Sequence, residues 1–100
     1  MKDFGHLVFV ADDPFAEYST WRAVMRFDNG YGVSVLTGIG ALCTESRPYE
    51  LAVIQFHPDG SYNVVYPDQT DNDVMPFLTS DEVSDYMRII QLFPLTFSDE

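Results

Sequence analysis

The chain has 100 residues, sixteen acidic against five basic, and its 46% hydrophobic and 15% aromatic content argues for one folded domain over residues 1–100. A net charge of −11 disfavours nucleic-acid phosphates and anionic membranes and favours basic protein surfaces. The single cysteine, Cys43, excludes an internal disulfide and a multi-cysteine zinc site, and no segment approaches the ~20 apolar residues of a membrane span.

The start MKDFGHLVFVADD has too short an apolar run, flanked by acids, for a signal peptide, so a soluble cytoplasmic protein is expected. Within it, Gly5 to Ala11 suits a buried first strand, ended by Asp12-Asp13-Pro14. Phe15 to Thr20 fits a loop or a helical turn equally well. Trp21 to Gly38, WRAVMRFDNGYGVSVLTG, then reads as a hairpin. Trp21, Ala23, Met25 and Phe27 alternate with Arg22, Val24 and Arg26, the period of a strand with one buried face. Asn29-Gly30 suits a type I′ turn, which needs positive φ at both central residues. Arg22 and Arg26 share the other face, where they keep it wet.

Gly38 to Pro48 has two further signals of irregularity, Gly40 and Pro48, and reads as a loop exposed for contact. Tyr49 to His57, YELAVIQFH, is apolar on both faces towards its middle, as a central strand is. Pro58-Asp59-Gly60 is a turn, and Ser61 to Tyr66 runs back from it; a meander is the simplest connection. Pro67 to Pro76 reads as an acidic connector. Thr79-Ser80-Asp81-Glu82 is a capping box, with Leu78 and Val83 placed as a hydrophobic staple. Val83, Tyr86, Met87, Ile90 and Phe93 then form one apolar stripe on a helix of about fourteen residues, ended by Pro94. The fold expected is α+β: an antiparallel sheet of about five strands with one C-terminal helix packed on one face.

Chemistry-bearing constellations are weak. His6 and His57 are the only histidines, and a metal site would need both to converge with a carboxylate. Asp68, Asp71 and Asp73 lack the spacing, central Gly and bidentate Glu of a calcium loop. GYG and GIG lack the strand-to-helix setting that aims amides at a phosphate, and no spacing sets a histidine beside Cys43. The expectation is therefore a non-enzyme without cofactor or metal. What stands out is charge: Pro58 to Met87 holds seven acids (Asp59, Asp68, Asp71, Asp73, Asp81, Glu82 and Asp85) and no Lys or Arg. These are the candidate partner-binding residues, together with the loop around Cys43, and the partner they suit is a protein with a basic surface rather than nucleic acid or membrane.

FDNGYGVSVLTG, YELAVIQF and DVMPFLTSDEVSDYM, spread from Met25 to Met87, together resemble a group of small proteins encoded by tailed bacteriophages. The resemblance implies an accessory protein made in the bacterial host cytoplasm. It further implies an inhibitor that binds a host protein, in anti-defence (anti-CRISPR or anti-restriction) or in host takeover, and the run of acids suits a basic, nucleic-acid-binding surface on that protein. In that group the loop after the hairpin is Gly-rich, whereas GIGALCTESRP here is different. The alternative is a self-assembling structural or virion-associated protein, such as a homodimer, built through exposed aromatics and sheet edges.

Overall fold

A computed structural model describes residues 1–12, 15, 20–38, 45–65 and 75–93. They form an α+β fold whose elements are a 3-10 turn (Phe4–His6), β1 (Val10–Ala11), β2 (Thr20–Arg26), β3 (Tyr31–Gly38), β4 (Tyr49–Phe56), β5 (Tyr62–Val64), β6 (Met75–Leu78) and α1 (Ser80–Ile90). The antiparallel sheet runs in the order β1-β2-β3-β4-β5, the meander expected, with β6 pairing the first half of β4 beside β5.

Both hairpin turns have one design. Phe27 N–H donates to Tyr31 O and Gly30 N–H to Phe27 O; His57 N–H donates to Ser61 O and Gly60 N–H to His57 O. Each is a three-residue loop with a glycine in the left-handed region, Gly30 at φ 88° and Gly60 at φ 92°. The type I′ reading of Asn29-Gly30 is thereby corrected, because Asn29 does not have positive φ. Asn29 is instead a buried anchor: its Nδ2 donates to Ile90 O at 2.8 Å and Phe93 O at 3.0 Å, and its Oδ1 accepts from Tyr31 N–H. Those two carbonyls lie at the end of α1, where the helix leaves acceptors unfilled. One side chain thus satisfies the helix terminus and fixes it to the hairpin.

The other end of α1 forms as its sequence dictates. Thr79 Oγ1 accepts from Glu82 N–H, Glu82 Oε1 accepts from Thr79 N–H, and both staple residues, Leu78 and Val83, are buried. The helix is shorter than expected, eleven residues, since Gln91 to Phe93 turn away to meet Asn29. Val83, Met87 and Ile90 pack on Phe27, Val33, Val35, Leu51 and Val53 to make the core. Truncating a fully buried side chain here, Met87→Ala for instance, costs about 2–5 kcal/mol.

Two expectations fail locally. Gly5 to Ala11 is not a buried strand: only Val10–Ala11 pairs, and Val8 and Val10 are exposed. The reason is Asp3, which accepts from Gly5 N–H and caps a 3-10 turn ahead of it, while Phe4 N–H donates to Ser84 Oγ on α1. Phe4, Leu7 and Phe9 reach inward, with Phe4 edge-on to Tyr49 at 4.9 Å and Phe9 tilted against the same ring. Similarly, the end of the Pro67–Pro76 connector is a strand, β6, with one extra residue against β4 between Tyr49 and Leu51. Phe77 takes up the extra residue at φ 60°, a conformation costly for a bulky side chain.

Candidate functional site

β2 rises to the first hairpin turn, β3 descends from it, and β4 rises again to the second turn, so both turns lie at one end of the sheet. Phe56 N–H donating to Gly30 O confirms the proximity. Pairing of Leu78 with Tyr49 sets the start of α1 at the opposite end, and Asn29 draws its finish to the turn end. Asp59, in the second turn, is therefore a sheet length away from Asp81 and Glu82. The acids nominated from the sequence do not make one cluster among the described residues.

Their local roles differ. Asp59 accepts from Ser61 Oγ at 2.7 Å and Ser61 N–H at 2.9 Å, and this side-chain bond first, then the backbone bond, lowers its pKa below the usual 3.8. Glu82 is lowered from 4.5 chiefly by the Thr79 N–H, helped by Arg47, whose guanidinium pairs with it and also donates to Phe77 O. Asp85 pairs with Arg88 one turn on. Asp81 is exposed with no partner among the described residues. Asp68, Asp71, Asp73 and the loop around Cys43 lie outside the described residues.

Asp81, Asp85 and Ile89 fall four residues apart and so share the outward side of α1, with Leu92 in the turn just beyond its end. Ile89 and Leu92 are 54% and 73% exposed, which makes that side acidic at its start and apolar at its finish. Sequence reading took the acids and missed the two apolar neighbours, although the same helical spacing that found the core stripe would have placed them opposite it.

Three of the five basic residues are matched to acids: Arg22 to Asp12 at 3.6 Å, Arg47 to Glu82 and Arg88 to Asp85. His6 lies against Asp3 and His57 against Asn63, on separate turns. No group of three metal-binding side chains occurs among the described residues, and no described helix is long and apolar enough to cross a membrane.

The second face of the sheet carries no helix among the described residues. Gly32 is placed there for contact: a Cβ on it would meet Met25 O at 2.2 Å and Phe56 Cε2 at 2.8 Å. Its absence lets the Phe56 ring lie across β3 and receive Arg26, whose guanidinium carbon is 5.4 Å from the ring centroid. No protein-family profile, curated protein or solved structure matches this chain.

Proposed function

We propose that this is a non-enzymatic, phage-type accessory protein that binds and inhibits a bacterial host protein by occupying a basic, nucleic-acid-binding surface. The observation that carries the reading is the imbalance of charge. With net charge −11 and three of the five bases already matched to acids, the surface field is set by carboxylates. Such a field attracts a basic surface over distances near the Debye length, roughly 8 Å at physiological salt, and speeds encounter.

The outward side of α1 is the surface best suited to the contact. Asp81 supplies charge unpaired among the described residues and Asp85 an exposed ion pair with Arg88, while Ile89 and Leu92 supply the apolar area that a stable interface needs at its centre. Asp59, at the far end of the sheet, steers rather than anchors. The test is to replace Asp81 and Asp85 by Lys and follow association with the host protein by surface plasmon resonance. The on-rate should fall about tenfold or more at low salt and converge on the native value at high salt. An unchanged on-rate at low salt rejects the electrostatic reading.

Self-assembly is supported by a different observation: Tyr62 and Val64 on the outer edge of β5 are exposed and carry no charge to repel a second copy. That strand is only three residues long, which limits the pairing it can offer.

A further inference from the structure

Among the described residues the sheet has a second open edge, and it is of a different kind. β1 pairs β2 only at Val10↔Arg22 and Ala11↔Trp21, while β2 continues to Arg26. Asp12 N–H donates to Thr20 O, so residues 20 and 22 turn their backbone groups towards β1. By the alternation of a strand, Val24 and Arg26 turn theirs the same way. Phe27 N–H donating to Tyr31 O on the β3 side fixes the same parity. The residue in line to pair Val24 is Val8, but the pairing has ended at Val10 and Val8 is 75% exposed. The N–H and C=O groups of Val24 and Arg26 thus face no strand among the described residues.

An open depression of about 500 Å³ lies against this edge, lined by Val8, Val10, Ala11, Asp12, Arg22 and Val24. Along it Val24 and Arg26 share the second face, and Arg26 has no carboxylate in ion-pair range among the described residues.

We propose that this edge of β2 accepts an extended segment of another protein as an added antiparallel strand, and that the segment carries a carboxylate opposite Arg26 and a β-branched residue opposite Val24. Backbone pairing supplies affinity and the alternate side chains supply choice. Because an antiparallel strand meets Arg26 before Val24, the recognised pattern reads acid, any residue, β-branched. A second copy of β2 is the wrong occupant: centred on Val24, it would set Arg26 opposite the copy's Arg22, and like charges directly opposed are unfavourable. This contact is independent of the outward side of α1, which lies on the other side of the sheet.

The test pans the full chain against a displayed library of random seven-residue peptides. Enriched peptides should share the acid-x-β-branched pattern. Binding of the best should slow amide exchange at Val24 and Arg26 at least tenfold, leaving Ala23 and Met25, already paired to β3, unchanged. Val24→Pro, which removes the outward donor, should weaken binding tenfold or more. Arg26→Glu should change the preferred acid to Lys or Arg, and this variant decides the matter should the proline disturb folding. No shared pattern, or enriched peptides that bind Arg26→Glu as well as the native chain without protecting those two amides, overturns the proposal.

Discussion

Replacing Asn29 tests the join between the helix and the hairpin. Its side chain is 8% exposed and makes three hydrogen bonds, two to the carbonyls of Ile90 and Phe93 and one from Tyr31 N–H. At about 1 kcal/mol for each bond, Asn29→Ala should destabilise by about 3 kcal/mol. Asn29→Asp keeps the bond from Tyr31 but loses both donors, about 2 kcal/mol, and sets a carboxylate at the negative end of the α1 dipole, about 1 kcal/mol more. At neutral pH the two variants should therefore be equally unstable. They should separate in acid. The Asp carboxyl, pressed against carbonyls, has its pKa raised by folding, so its contribution is present at low pH and is lost as pH rises through the folded value. Once protonated it regains one donor, and the Asp variant should then exceed the Ala variant by about 2 kcal/mol. Urea unfolding followed by far-UV circular dichroism at pH 7 and pH 3 measures both. A loss below about 1 kcal/mol for Asn29→Ala, or no separation of the two in acid, would refute the assignment of Asn29 as the helix anchor.

Gly32→Ala should destabilise by about 3 kcal/mol or more by thermal melting, since the new methyl meets the Met25 carbonyl, which cannot yield as a flexible side chain could. Phe77→Gly relieves a left-handed φ, about 1–2 kcal/mol, but gives up the covered half of the ring and adds chain entropy, so the denaturation midpoint should not rise. Because Glu82 has its pKa lowered, its stabilisation is present above the ordinary 4.5 and is lost as pH falls through the lower folded value. Glu82→Gln should therefore show a shallower acid loss than the native chain in a pH series of melts. Reversing Asp68, Asp71 and Asp73 to Lys should slow binding of the host protein, with the effect erased by salt.

How far the fold was legible depends on whether each signal was local. The capping box at Thr79 and Glu82 and the stripe from Val83 to Phe93 were read correctly, because the groups that meet lie within a few residues of one another. The two Gly-ended turns and the central place of β4 followed from similar local chemistry. Asn29 is the instructive case. Asn-Gly marked the turn, yet the asparagine is there to reach carbonyls sixty-one and sixty-four residues away, which no periodicity can show. β6 was hidden because a proline and a left-handed Phe77 break its alternation, and GHLVFVA looked like a core strand because its apolar content does not reveal that a turn capped by Asp3 comes first.

For the candidate site, the sign of the charge was legible and its geometry was not. Asp59 and Asp81 are close in character but lie at opposite ends of the sheet, and Glu82 is committed to the helix cap and Arg47. The open edge at Val24 and Arg26 has no sequence signature at all, since it depends on where β1 stops.

Binding through an acidic surface can be checked by capturing partners of the tagged full chain from bacterial lysate at low and at high salt, with mass spectrometry and a parallel capture by the Asp81→Lys, Asp85→Lys variant. The account predicts one host protein with a basic nucleic-acid-binding groove, held at low salt, released at high salt and not held by the variant. Recovery of only the chain itself at both salts, or of a partner indifferent to salt and to the two substitutions, would contradict it.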